Sequence, residues 1–274
     1  MKESLKLSNN HTINVFGIPL IAWTMEQVLD AMEIMIQQKI PNYVITANLN
    51  YAMLCQSDNY LNEINKRAKF IVADGMPLVW ASYLKKNKRL PQRVTGAELV
   101  NRLCERAAKL QASIFIFGAY PGQAELAGNL LSQKFPGLRF AGSICPPFGR
   151  WTETENVQMI EQIHQVKPDI LFVALGQPFG EKWVAKNYQT IGASINLQIG
   201  GSFDFITGRV RRAPKWMQRC GLEWIYRFYQ EPKRLFMRYY SNIFFLVRMM
   251  ILEMGNRRFE MNSKNISIKN DQDG

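Results

Sequence analysis

Apolar residues along this chain fall in short blocks, and the stretches between them carry a helical period. Residues 14–22, NVFGIPLIA, read as a strand or a hairpin. Thr24 then stands three positions before Gln27, the spacing of a capping box. Val28, Leu29, Met32, Met35 and Ile36 follow at the intervals of one helix face. Strands are expected at 43–49, 69–74, 113–119, 138–144, 169–176 and 194–201. A polar helix separates the first two of these. Thr95 with Glu98 opens a helix running to about Leu110, Pro121 suits the start of another, and Thr152 with Glu155 caps a third.

Near-continuous apolar strands alternating with helices predict an α/β fold, a Rossmann-like and mostly parallel sheet with helices on both faces. Right-handed crossovers bring the C-terminal ends of the strands to one rim, where ligands of open α/β sheets bind. That rim would carry Thr46, Asn48, Asp74 with Gly75, Gly118, Gly176 with Gln177, and Gly200-Gly201-Ser202. Glycine lets a ligand approach the backbone closely, and helix N-termini offer free N–H groups to phosphate. The position suits a nucleotide-type site. Glycines that merely end strands in tight turns are the structural alternative.

Composition narrows the chemistry. The 274 residues carry a formal net charge of +12. Twelve cations stand against three anions between positions 207 and 258, so most of the excess lies in the last fifth of the chain. This asymmetry implies an anionic partner: nucleic acid, a membrane or a phosphorylated substrate. Four well-separated cysteines and no secretory signal point to reduced thiols in a cytosolic chain. Neither GxGxxG nor GxxxxGK[ST] occurs, which disfavours dinucleotide and P-loop enzymes. With two histidines, and Asp-x-Asp only at 271–273, no metal site and no cofactor are expected.

The basic segment also carries Trp216, Trp224, Tyr226 and Tyr229, residue types that favour the membrane headgroup layer. Pro232 is placed to begin a helix reaching about Met254, roughly 34 Å long. On it Arg234, Arg238 and Arg248 fall within an arc of roughly 80°. Phe236, Tyr239, Ile243, Leu246, Val247, Met250 and Met254 lie on the opposite side. Its most apolar run, NIFFLVRMMIL, is short for a bilayer span and contains Arg248, so an amphipathic interfacial helix is expected. Packing of the apolar stripe on the α/β core is the alternative. Nucleic-acid stacking fits less well, because a groove for bases needs no Met/Ile/Leu face. The division is therefore 1–206 as the α/β catalytic unit, 207–258 as a basic, aromatic helical appendage, and 259–274 as a disordered tail.

The order of motifs resembles the WecG/TagA/CpsF family of bacterial glycosyltransferases, glycosyltransferase family 26. The matching pieces are TANLNYAML (46–54), ADGMPLVW (73–80), RVTGAEL (93–99), FGAYPG (117–122), LGQPFGEKW (175–183) and the long GGSFDFITGRVRRAPKWMQRCGLEWIYRFYQEPKR (200–234). The resemblance implies an inverting, metal-independent transferase at the inner face of the bacterial cell membrane. It would move a sugar, of N-acetylmannosamine, its uronic acid or glucose type, from a UDP-sugar to a polyprenyl-diphosphate-linked saccharide. Products of the family feed teichoic acid, enterobacterial common antigen and exopolysaccharide biosynthesis.

Carried over residue by residue, the resemblance makes Asp74 the catalytic carboxylate and Thr46 the active-site threonine. Direct displacement at an anomeric carbon needs the acceptor hydroxyl deprotonated, so Asp74 is a general-base candidate; capping the helix around Pro77 is its other reading. Substrate-binding candidates are Asn48, Arg93, Gly118, Gly176, Gln177, Glu181, Gly200, Gly201, Ser202 and Asp204, the last of which also reads as a loop brace. Arg212, Arg227 and Arg234 are candidates for the lipid diphosphate or the leaving UDP, where cations must stabilise developing charge. One departure stands out: family members commonly read PKQEKW where this chain reads PFGEKW, so Phe179 and Gly180 replace lysine and glutamine. A homo-oligomer is left open. A non-catalytic nucleotide- or nucleic-acid-binding protein with a basic tail is the alternative function.

Overall fold

The computed structural model describes residues 11–85, 89–147, 149 and 151–270, with side chains as far as residue 255. The DQD triplet at 271–273 lies outside the described residues, as do the first ten positions. The described chain opens with an antiparallel hairpin, β1 (Thr12–Val15) and β2 (Ile18–Ile21). Next come α1 (Met25–Gln38), β3 (Tyr43–Ala47), α2 (Leu49–Cys55), α3 (Asn59–Arg67) and β4 (Phe70–Ala73). They are followed by α4 (Met76–Ser82), α5 (Gly96–Lys109), β5 (Ser113–Gly118), α6 (Gln123–Lys134) and β6 (Arg139–Ile144). The alternation ends with α7 (Glu153–Val166), β7 (Ile170–Ala174), α8 (Phe179–Ile191) and β8 (Ile195–Gln198). The C-terminal part holds α9 (Ser202–Ile206), α10 (Lys215–Arg219), α11 (Glu223–Gln230) and α12 (Pro232–Asn270).

Six strands form one sheet in the order β4-β3-β8-β7-β5-β6, and every pairing is parallel. The hairpin remains a separate two-stranded sheet. Its turn residues Phe16 and Gly17 both have positive φ, the conformation that matches strand twist in a two-residue turn. One face of the large sheet packs on α2, α3, α7 and α8, and the other on α1, α5, α6 and α9. Thr24 and Thr152 form complete capping boxes; Thr95 accepts from the Glu98 N–H.

This order makes neighbouring strands lead to opposite faces at β3/β8, the first such switch point, and again at β8/β7, β7/β5 and β5/β6. β3 runs into α2 while β8 runs into α9, and β7 runs into α8 while β5 runs into α6. Crevices at such switch points are where α/β sheets bind ligands.

α12 has 39 residues, about 58 Å at 1.5 Å per residue, and runs well past Met254. Leu235, Asn242 and Phe245 are buried and mark its inward stripe. Phe245 meets the ring of Phe16 edge-on at 5.7 Å, and Leu246, Met249 and Met250 pack on the same core. Lys85 holds Glu253 at 2.6 Å further along. Tyr239 contacts Trp224 and Phe228, joining α11 to α12. Opposite the inward stripe, Phe236, Tyr240, Ile243, Phe244, Val247, Ile251 and Met254 are all exposed. The apolar side expected from the sequence is thus divided: Leu246 and Met250 turn toward the core, and Phe236, Ile243, Val247 and Met254 turn away.

Candidate active site

Asp74 follows β4 directly. Its backbone N–H donates to the Ala47 carbonyl at 2.7 Å, which carries the pairing with β3 one residue past the strand. Its carboxylate Oδ2 accepts from the Gly96 N–H, 3.2 Å away, at the start of α5. α4, by contrast, has Gly75 as its N-cap and no side-chain cap, so Asp74 does not cap the helix at Pro77. A methyl group at position 96 would stand 2.9 Å from Ser202 Oγ and 3.5 Å from Asp74 Oδ2. Glycine there lets α5 start directly beneath the β8 loop and point an N–H at the carboxylate.

Burial raises the Asp74 carboxyl to about 6; the Gly96 N–H draws it down, Glu223 pushes it up, and Arg93 and Arg227 draw it down again. The residue as a whole is only partly buried, while its carboxyl group is enclosed by protein. A carboxylate poised near neutrality is suited to taking a proton.

The arginines around it arrive from distant parts of the chain. Arg93 Nη1 lies 3.2 Å from Glu223 Oε2, and Arg212 Nε lies 3.3 Å from Glu223 Oε1. Asp204 is buried, accepts from Gln123 at 2.8 Å, and faces Arg209 at 3.4 Å and Arg227 at 3.8 Å. The Arg209 guanidinium also lies 3.5 Å over the Tyr120 ring. Arg227 leans so closely on Gly201 that a methyl group there would meet Nη2 at 2.8 Å. Arg234 pairs with Glu231.

Arg238 differs from these. It lies three and four residues from the buried Leu235 and Asn242, on the inward stripe of α12, yet it is exposed. The residue keeps exposed surface, while surrounding protein desolvates its guanidinium and lowers its pKa. Its charge acts on both Asp74 and Glu181. Among the described residues it forms no ion pair. The sequence placed Arg238 on a cationic arc but gave no sign that, unlike Arg93, Arg212, Arg227 and Arg234, it has no carboxylate partner among the described residues.

Thr46 donates its hydroxyl to the Gln198 carbonyl at 2.9 Å, tying β3 to β8 at the first switch point. Asn48 caps α2 by accepting from the Tyr51 N–H at 3.0 Å. Ser202 donates to the Ile199 carbonyl at 2.7 Å. Gly118 is pressed against the Ala174 carbonyl, whereas Gly176 and Gly200 have open space where a side chain would stand. Glu181, at the start of α8, is buried; Gln177 donates to its Oε1 at 2.9 Å and itself accepts from Asn50 at 3.1 Å. Burial raises the Glu181 carboxyl to about 7, against the pull of Gln177 and Arg238.

A depression of about 650 Å³ lined by Lys39, Gln111, Arg139 and Asp169 lies at the N-terminal edge of the strands, away from these groups. Among the described residues no group of three or more His, Cys, Asp or Glu side chains is placed to hold a metal ion.

A rim carboxylate enclosed by arginines from a C-terminal basic segment joins the motif order already described, and comparison decides the family. The profile of the Glycosyl transferase WecG/TagA/CpsF family matches residues 13–259. The chain belongs to this family. It is 30% identical over 224 residues to the N-acetylglucosaminyldiphosphoundecaprenol N-acetyl-beta-D-mannosaminyltransferase of Bacillus subtilis (strain 168), covering 81% of this chain and 85% of the relative. The protein of the same name from Staphylococcus aureus (strain MW2) is 30% identical over 233 residues, covering 83% and 88%. As a member, this chain is a glycosyltransferase, and the non-catalytic reading is set aside.

Proposed function

We propose that this WecG/TagA/CpsF family member transfers a sugar of the N-acetylmannosamine type from a UDP-sugar to a polyprenyl-diphosphate-linked saccharide, with inversion. The names of the two relatives support that sugar, and N-acetylglucosaminyl-diphosphoundecaprenol as the first acceptor to test. The observation that carries the chemistry is the enclosed Asp74 carboxylate, held by Gly96 and overlooked by arginines.

In the reaction, Asp74 takes the proton of the acceptor hydroxyl as its oxygen attacks the anomeric carbon. The new C–O bond forms on the face opposite the diphosphate, the old C–O bond breaks, and UDP departs with the bonding pair. Negative charge grows on the leaving phosphate, and this chain's own cations there are Arg93, Arg212, Arg227, Arg234 and Arg238. Guanidinium groups suit bidentate contact with phosphate oxygens. Thr46 and Asn48 border the sugar, and Gly176, Gly200 and Gly201 let the nucleotide approach the backbone.

The part from about residue 207 onward grips phosphate and docks on the inner face of the cell membrane. By length and composition Pro232–Gly255 would suffice to cross a bilayer. Its inward stripe is already spent against the protein at Leu235, Asn242 and Phe245, while the exposed stripe opposite is apolar. That division supports a helix lying in the interface with Phe236, Tyr240, Phe244 and Ile251 toward the acyl chains. Trp216 and Tyr229, both well exposed, suit the headgroup layer.

The test is incubation of the purified protein with a panel of UDP-sugars and a short-chain polyprenyl-diphosphate N-acetylglucosamine, read by UDP release and product mass. Release with one donor, abolished in Asp74→Asn, is the expected result. No release with any donor overturns the proposal.

A further inference from the structure

Gly180 brings no side chain to the first turn of α8, but the room beside it is filled. A Cβ at this position would stand 2.4 Å from Gln198 Nε2, 2.5 Å from Cδ and 2.8 Å from Oε1. The Gln198 amide therefore occupies the space that a side chain at 180 would enter. Gln198 ends β8, between β3 and β7, at the first switch point. Its carbonyl accepts the Thr46 hydroxyl, and its Nε2 donates to the Leu175 carbonyl at 2.5 Å.

Two enclosed acceptors flank Gly180 without a donor: Oε1 of Gln198 and Oε2 of Glu181. Sealing an acceptor away from water without a partner costs stability, and native proteins rarely leave such groups unexplained. Two of them at a ligand-binding crevice call for a ligand that brings donors. The hydroxyl groups or acetamido N–H of a sugar ring meet that requirement, and a phosphate, which only accepts, does not.

We propose that Gln198 is a specificity-determining residue of the sugar site, its amide occupying the room that a side chain at position 180 would otherwise fill. This rests on the glycosyl-transfer reading above and deepens it. Gln177, which covers Glu181 and is only partly buried, gives way to the entering ring. The ring then donates to Glu181 and to a Gln198 amide turned toward it. A glutamine at both 180 and 198 would place two amides in one space, so the two positions act as an exchange pair.

Three variants test this against a role for Gln198 as a mere filler. Gln198→Met keeps the length and removes the amide. Its KM for the preferred UDP-sugar should rise about tenfold, and the ratio of kcat/KM between UDP-N-acetylmannosamine and UDP-glucose should move by a similar factor. Gly180→Gln alone should lose most activity, and Gly180→Gln with Gln198→Gly should regain it to within about threefold of the parent. A Met variant whose KM and donor ratio stay within about twofold overturns the proposal, as does a double variant no better than Gly180→Gln. If Gly180→Gln fails to fold, the Met variant decides alone. A parent protein inactive with every donor overturns the underlying transferase reading; an active parent with an unaltered Met variant overturns only the role of Gln198.

Discussion

Arg93, just before α5, stands 3.2 Å from Glu223, the first residue of α11. The same carboxylate receives Arg212 at 3.3 Å, so one anion ties the sheet rim to the basic C-terminal segment. Glu223 also pushes the Asp74 carboxyl upward. Glu223→Gln removes that negative charge, and the acid limb of the kcat/KM profile should move to lower pH. A limb that stays in place, or moves upward, would show that Glu223 does not face the base.

Asp74 itself sets the position of that limb. The carboxyl is raised from 3.8 to about 6, so the base is ready above about pH 6 and is progressively protonated below it. Rate should fall about tenfold per pH unit on the acid side. Asp74→Asn should lower kcat by about 100-fold or more. A carboxyl whose pKa is raised by folding costs stability once it ionises. The cost is absent below the unfolded value, grows through the interval between the two values, and is complete above about 6. The Asn variant should therefore melt no lower than the parent at pH 8, which thermal denaturation checks.

Arg238 has no carboxylate to compete with a diphosphate, unlike Arg93, Arg212, Arg227 and Arg234. Arg238→Gln should raise KM for the donor or the lipid acceptor by about tenfold, the loss of one charge-assisted contact. Separate titrations of the two substrates assign the phosphate concerned. Arg238→Lys should recover part of the loss, because the charge remains but the planar fork does not. A Gln variant with both KM values unchanged would remove Arg238 from the site.

Phe244 and Ile251 project from the exposed stripe, 68% and 64% accessible. Changing both to Glu should cut sedimentation with anionic liposomes at least about tenfold, since each large apolar side chain is worth about 1.5–3 kcal/mol on burial. Activity on a short-chain, water-soluble acceptor should persist. Equal loss in both assays would mean that the stripe serves folding rather than docking.

Several features were legible from local pattern. The apolar blocks located the strands of the six-stranded sheet, because strands covered on both faces are largely apolar; the edge strand β6 is only partly buried. Threonine three residues before Gln27, Glu98 and Glu155 marked three helix starts, because those spacings satisfy orphan N–H groups within one turn. Block 14–22 was legible only as a strand or hairpin, and the antiparallel alternative is the one formed. Gln198 had one local signal, a long polar side chain at the end of a buried strand, a signal that Asn196 in the same strand shares.

By itself, then, the order of apolar blocks determined a parallel sheet whose strand ends share one rim, and the charge distribution determined that the last fifth of the chain is strongly cationic. Tertiary structure alone decided that Arg238 stays unpaired beside Asp74 and which amide fills the room beside Gly180. Glu223 meets Arg93, and Gln198 meets Gly180, across separations that no local period encodes. The physical reason is that capping and periodicity act within a few residues, whereas charge pairing and packing depend on distances that exist only once the sheet order and the path of α12 are set.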